Sequence, residues 1–258
     1  MYFSKIEACG NDFCIFGSPI STFSPTAEYI RKICDRHFGI GCDCAVCISR
    51  SENADYFMHV YNPDGFEAEI CGNALRCSAQ YVYECGYFNK KVLTAETLAG
   101  VRSIQRKDNM YKVCLGKPQV CEKGILNVSG ATIQYFLIDT GNPHCVVFVE
   151  HISDDEFYRY GNELSCNPHF KNGTNVEFAR IIGCGEIEIR VWERGIGETL
   201  SCSTGSCAAY VAANEISEMS NECEIRQKGG TIKAEIDSHG RIYISGGCNT
   251  VFKGKFLP

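Results

Sequence analysis

Along much of the chain apolar and polar residues alternate with a period of two, the pattern of strands that bury one face. Glu186-Ile187-Glu188-Ile189-Arg190-Val191 and Arg241-Ile242-Tyr243-Ile244-Ser245 are the clearest cases. Tyr2 to Glu7 and Ile133 to Asp139 read as further strands, each leading into a Gly-Asn turn, and Thr250 to Leu257 reads as the last. Small and β-branched residues from Cys42 to Ser49, after a Gly-rich turn, predict another. A helical period is confined to Leu75, Ala79, Val82 and Tyr83 and, less cleanly, to Cys207, Tyr210, Val211 and Asn214. The class is therefore α+β, mostly strand, with only two or three long helices.

The pattern also repeats. Gly10-Asn11-Asp12-Phe13-Cys14 is echoed by Gly141-Asn142-Pro143-His144-Cys145, and Cys71-Gly72-Asn73 opens a helical segment as Cys202-Ser203-Thr204 does. Both echoes fall at a spacing of 131 positions, close to half of the 258 residues. Two similar halves follow, each mostly β and wrapping a central helix, related by pseudo-symmetry and facing each other across a cleft. Residues 1–116 form the half carrying Cys71, joined by the C-terminal strand at about 247–258, and residues 117–246 form the half carrying Cys202. Gly116-Lys117-Pro118 punctuates the crossover.

Charge narrows the function. Lys plus Arg number 25 against 31 Asp plus Glu, a net charge of -6 with no block of either sign. A sequence-independent nucleic-acid binder needs a clustered positive face, so no nucleic-acid partner is expected. No segment approaches the ~20 apolar residues of a membrane span, and Met1 to Glu7 lacks the basic and apolar regions of an export signal, so a cytoplasmic location is expected. The 18 cysteines then read mostly as reduced, buried, small hydrophobes. Cys42-Asp43-Cys44-Ala45-Val46-Cys47, with Cys34 and His37 nearby, invites a metal, but a second ligand knuckle is missing, and no metal site is expected.

Two cysteines stand apart from the rest. At a helix start, unpaired backbone N–H groups and the helix dipole favour a thiolate, which lowers the pKa toward neutrality. Cys71 and Cys202 both hold that position, beside small or turn-forming residues that let backbone amides approach an anion. A thiol on each side of one anion site suits inversion of a stereocentre beside a carboxylate, since one group removes a proton and the other returns one to the opposite face. Such a pair needs no cofactor. Two cysteines that merely cap helices as packing residues are the competing reading for either position taken alone.

A family resemblance rests on several of these residues together. Gly10-Asn11-Asp12-Phe13, Arg36 to Asp43, Tyr61-Asn62-Pro63-Asp64-Gly65, Cys71-Gly72-Asn73 with Arg76-Cys77, Gly141 to His144, Asn175-Val176, Glu193-Arg194-Gly195 with Gly197 to Thr199, and Cys202 with Gly205 and Cys207-Ala208 stand in the order of the diaminopimelate epimerases, and the chain resembles that family from Phe3 to the Lys228-Gly229-Gly230 turn. The resemblance implies a cofactor-independent epimerase, usually a homodimer, that interconverts LL- and meso-2,6-diaminopimelate. It makes Cys71 and Cys202 the acid-base pair. It assigns the reacting carboxylate to the amides of Gly72, Asn73, Ser203 and Thr204, and the rest of the substrate to Asn11, Asn62, Asn142, Asn175, Glu193 and Arg194. His144 and Glu193 resemble the pair that tunes the thiols. Three positions depart from the family. Cys44 stands where many members have Gln or Gly, which weakens the substrate contact expected there, Ser203 replaces a usual Gly, and Ala74 a common one.

Other readings predict different observations. A racemase of another amino acid, such as histidine, keeps both cysteines and changes the residues that meet the distal end of the substrate. Here Asn62, Asn175 and Arg194 speak for a second carboxylate. A thiol redox or metal-binding protein predicts bound metal or a cycling disulfide. A phenazine-biosynthesis-type isomerase shares the expected fold but uses no cysteine pair.

Overall fold

The computed structural model describes residues 1–257. The chain forms two compact units, Met1–Cys114 together with Ser245–Pro258, and Leu115–Ile244.

In the first unit the elements run β1 (Tyr2–Ala8), β2 (Asn11–Gly17), α1 (Ala27–Cys34), β3 (Cys44–Ser49), β4 (Tyr56–Tyr61), β5 (Glu67–Ala68), α2 (Gly72–Glu84), β6 (Val92–Thr97), β7 (Gly100–Lys107) and β8 (Met110–Gly116). The second unit follows with β9 (Gln119–Val128), β10 (Ala131–Asp139), β11 (Pro143–Phe148), α3 (Asp154–Ser165), β12 (Asn175–Gly183), β13 (Glu186–Glu193), β14 (Gly197–Thr199), α4 (Ser203–Asn214), β15 (Glu222–Gln227) and β16 (Gly230–Ile236), and β17 (Ile242–Gly247) runs across the boundary into the first. Strand β18 (Asn249–Lys255) then returns to the first unit, antiparallel to β1.

Element for element the units correspond. Parallel β2 and β3 set Phe13 beside Cys44 and Ile15 beside Val46, and parallel β11 and β12 set His144 beside Asn175 and Val146 beside Glu177, the same register 131 positions later. Antiparallel β3 and β4 pair Ala45 with Tyr61 as β12 and β13 pair Val176 with Trp192. Even the outer strand has its counterpart, since β9 flanks β10 as β18 flanks β1.

The two central helices are largely buried. In α2 every residue from Gly72 to Ala79 is buried, and in α4 every residue from Ser203 to Ala213. Full enclosure explains why the periodicity of α4 was weak in the sequence, because a helix buried all round has no polar stripe to reveal its period. Helices α1 and α3 were not foreseen. α1 is only eight residues, capped by the Thr26 hydroxyl on the Tyr29 N–H at 3.2 Å, and it lays Ile30, Ile33 and Cys34 on Phe3, Phe16 and Tyr61. α3 is capped by Ser153 and opens on Asp154-Asp155-Glu156, acids that suit the positive end of the helix dipole. It packs Phe157 and Leu164 against Val176 and Phe178.

All 18 cysteines are free thiols, and ten of them are buried. They fill cores as small apolar side chains, with Cys14, Cys47 and Cys145 completely enclosed. Burial pushes the thiols of Cys47 and Cys223 up from an ordinary 9 to about 12, and raises those of Cys14, Cys77 and Cys145 as well. The sign of the consequence is fixed. Above pH 9 the unfolded chain releases these protons while the folded chain keeps them, so the contribution is whole below pH 9 and is lost as pH climbs toward 12. Each such thiol steepens the loss by up to about 1.4 kcal/mol per pH unit. Urea unfolding at a series of pH values should show midpoints falling steadily above pH 9, and a midpoint that held level through about two units of that range would contradict this account of the core.

Candidate active site

Both central helices begin in the same way. Cys71 takes an extended conformation, φ -142° and ψ 117°, and its Sγ accepts the Ala74 N–H at 3.5 Å. Cys202, with φ -134° and ψ 115°, accepts the Gly205 N–H at 3.4 Å. Each thiol is thus the N-cap of a buried helix, where Ser, Thr, Asp or Asn would be the usual choice. Sulfur is a weak acceptor, and the other first-turn N–H groups have no acceptor within the helix, so both helix starts favour an anion.

Around α2 a chain of polar contacts leads away from Cys71. The Asn73 amide donates to Asn11 Oδ1 at 3.3 Å, and Asn11 Nδ2 donates to Asp43 Oδ2 at 3.0 Å. Asp43 also accepts the Asp12 N–H, at 3.1 Å, and binds Arg36 at 2.7 Å. Asp12 lies 2.7 Å from Lys5 and bonds Arg36 through both oxygens. Burial works to raise the Asp12 pKa, but the bonds from Arg36 and Lys5 prevail and lower it to about 2. Asn11 is therefore held by fixed charge rather than by a turn alone. Asn62 sits in the turn after β4, its N–H on Phe66 O, with the Cys44 thiol 3.9 Å from its Oδ1. That brings Cys44 and Asn62 together, and both remain partly exposed.

Around α4 the surroundings differ. The Cys202 thiol is 3.3 Å from the Thr204 hydroxyl, and its N–H donates to Gln227 Oε1 at 2.7 Å. Burial, followed by Glu193 and Glu177, lifts the Cys202 thiol well above its ordinary range, and the bonds from Thr204 and Gly205 offset this only in part. The expectation that a helix start lowers the thiol toward neutrality fails here, because enclosure and two nearby carboxylates outweigh the helix end.

His144 is completely buried. Its Nδ1 lies 2.7 Å from Glu177 Oε1 and its Nε2 lies 3.0 Å from Asn142 Oδ1. The partner of His144 is thus Glu177, whereas Glu193 accepts the Thr199 hydroxyl at 2.8 Å. Glu177 was missed in the sequence, although a carboxylate inside the apolar run Val176 to Ala179 was a signal, since buried acids are rare without a partner. Asn175 links neighbouring strands, donating to Pro143 O at 3.1 Å and accepting the Arg194 N–H at 3.0 Å. The Arg194 side chain is exposed and donates to Asn172 O at 3.0 Å, with no carboxylate engaged. Gly72, Asn73, Ser203 and Thr204 are all buried at the two helix starts. Among the described residues no group of His, Cys, Asp and Glu is arranged to hold a metal ion.

Comparison with known proteins gives a consistent outcome. Residues 3–121 and 136–251 match the family model described as diaminopimelate epimerase. A diaminopimelate epimerase of Desulfovibrio desulfuricans is 36% identical, covering 98% of this chain and 97% of that protein. One from Desulforudis audaxviator is 37% identical, covering 100% and 99%. Among solved structures, a hydroxyproline epimerase from Agrobacterium vitis superposes with a TM-score of 0.77 at 15% identity, covering 98% of this chain and 91% of that one. A phenazine biosynthesis protein of the PhzF family from Bacillus anthracis gives 0.75 at 20% identity, covering 100% and 99%. At such identities the structural likeness concerns the fold.

The two helix starts also differ in the room beneath them. A Cβ added to Gly205 would lie 2.3 Å from Glu177 Oε1, whereas the corresponding position in α2 is Ala74. Gly205→Ala should therefore cost about 1 to 3 kcal/mol by overpacking. Chemical denaturation checks this, and an unchanged midpoint would mean that Glu177 has more freedom than its bond to His144 implies.

Proposed function

The chain belongs to the diaminopimelate epimerase family, and we propose that Cys71 and Cys202 invert the α-carbon of diaminopimelate by two-base proton transfer, converting the LL form to the meso form and back. The observation that carries the reading is the pair of thiol-capped helices with buried first turns at one sequence spacing. The enzyme is an isomerase. Relatives of this name match over the full chain, and that leaves a racemase of another amino acid, or a thiol redox protein, unfavoured.

In this reading one Sγ, as thiolate, removes the α-proton from one face of the substrate. The electron pair delocalises into the adjacent carboxylate, whose developing charge is met by the backbone N–H groups of Gly72, Asn73, Ser203 and Thr204 at two positive helix ends. The other Sγ–H then delivers its proton to the opposite face. One bond to hydrogen breaks and one forms on carbon, one forms and one breaks on sulfur, and the net charge is unchanged. Asn11, Asn62, Asn142, Asn175, Glu193 and Arg194 hold the remainder of the substrate, and the exposed Arg194 guanidinium suits the distal carboxylate. His144 with Glu177, and Glu193 beside Cys202, set the acidity of the second thiol. No cofactor enters the reaction. A homodimer and a cytoplasmic location belong to the same proposal and rest on the family resemblance. The meso product serves lysine and peptidoglycan synthesis.

Cys71→Ala and Cys202→Ala should each lower kcat by ~10²-fold or more, because each removes one acid-base group, while Cys44→Ala keeps most of the activity. Turnover near wild type in either of the first two variants would refute the assignment. Lysine carries the same two amines and lacks the second carboxylate, so kcat/KM for lysine should be lower than for diaminopimelate by ~10⁴. Comparable values for both substrates would argue against a site built for that carboxylate.

A further inference from the structure

Arg76, one turn into α2, is the largest completely buried side chain among the described residues. Its Nη1 donates to Gly247 O at 3.1 Å and its Nη2 to Asn73 Oδ1, while its Nε has no partner. Both acceptors are neutral. An enclosed guanidinium without a counter-charge is costly, and arginine does not escape by losing its proton.

The acids of the strands packed on α2 are already engaged. Asp12 binds Lys5 and Arg36, and Asp43 binds Arg36. Glu7 accepts the N–H of Gly10 and the amide of Asn249, and Glu67 pairs with His59. The buried thiol Cys77 belongs to this helix and is kept protonated by burial, and the buried Cys248 beside it donates its Sγ–H to Arg76 O at 3.6 Å. The helix start, where Asn73 bonds the guanidinium and Cys71 caps the first turn, is the place beside Arg76 that is open to an anion. The second unit is built the other way. The position equivalent to Arg76 is the buried thiol Cys207, and the position equivalent to Val46, beneath the helix start, is Glu177. Cys202 thus faces Glu177 and Glu193, with His144 beyond Glu177 and only the neutral Gln227 on its N–H.

We propose that Arg76 is a positioning residue whose buried, uncompensated charge makes Cys71 the resting thiolate of the pair and leaves Cys202 the resting thiol. The guanidinium does so in two ways. It supplies the positive charge beneath the first turn of α2, and it holds the Asn73 carbonyl oxygen so that the amide nitrogen faces Asn11. The inference rests on the assignment of Cys71 and Cys202 as the acid-base pair and names the direction in which that pair starts. From rest, the substrate proton passes to Cys71 Sγ and the Cys202 proton passes to carbon. The pair then resets by losing one proton to water at Cys71 and taking one from water at Cys202, so the cycle balances.

The test uses the full-length chain without substrate. Alkylation by iodoacetamide is followed across pH, and the modification of each cysteine is read by peptide mass spectrometry, the midpoint rather than the rate being compared because the two thiols differ in access. In the wild type the Cys71 midpoint should lie below that of Cys202 by about one pH unit or more. Arg76→Met should raise the Cys71 midpoint by about a unit, leave that of Cys202 in place, and lower kcat/KM near neutrality about tenfold, with Arg76→Lys restoring most of the midpoint. A Cys202 midpoint at or below that of Cys71 in the wild type overturns the proposal, and this comparison needs no variant to fold. Loss of activity in Arg76→Met with an unmoved Cys71 midpoint overturns it too, since that is the mark of a merely structural arginine. Ordered midpoints in a wild-type chain that fails to turn over diaminopimelate would support the charge asymmetry and remove the substrate reading instead.

Discussion

A helix with a buried first turn has N–H groups there that the helix itself cannot satisfy, and the fold must answer them. Both central helices of this chain answer with a sulfur. At 3.5 Å and 3.4 Å the thiols of Cys71 and Cys202 each occupy one N–H group, and sulfur accepts weakly. A hydroxyl or carboxylate cap would close the helix start more firmly and leave less for a ligand. The weak cap keeps a concentrated positive potential at a point where backbone amides already converge. A carboxylate, and the charge that grows on it when the neighbouring carbon loses a proton, is what such a point accommodates.

The halves share a register and part company in charge. Where β3 carries Val46, β12 carries Glu177, and where α2 carries Ala74, α4 carries Gly205, whose missing Cβ admits that carboxylate. Where α2 buries Arg76, α4 buries Cys207. These three differences are mutually consistent. A small residue at 205 is required by the acid at 177, and that acid is met by His144 rather than by a cation on its own helix. The two units thus present similar frames, and a few buried side chains make one helix start electrically unlike the other.

Much of this was legible in the sequence because the strands are half-buried and alternate, and because the Gly-Asn and Cys motifs recur at one spacing. The α+β class and the two central helices follow from those signals. Helices α1 and α3 did not, although Thr26 and Ser153 are ordinary caps, because α1 spans barely two turns and α3 bears a charged face that resembles a loop. The charged groups were the least legible. Glu177 looks like an irregularity in an apolar strand until His144 is seen beside it, and Arg76 looks like one residue of a motif until its lack of an acid is seen. Periodicity reports which face is buried. It does not report which buried polar groups meet.

That distinction also bears on how a chain with 18 cysteines keeps two of them available for chemistry. A thiol enclosed by apolar strands, as at Cys14 or Cys145, is driven toward the neutral form and is inert. Cys202 begins in the same condition, and burial dominates it too. What separates it from the packing cysteines is that its enclosure is polar on one side, with the Thr204 hydroxyl, the Gly205 N–H and two carboxylates near. A neutral thiol in such a place is a competent proton donor, and the groups that stabilise its conjugate base are already bound to it. Chemical character in this chain therefore resides less in the cysteine than in the few buried polar atoms that each helix start collects.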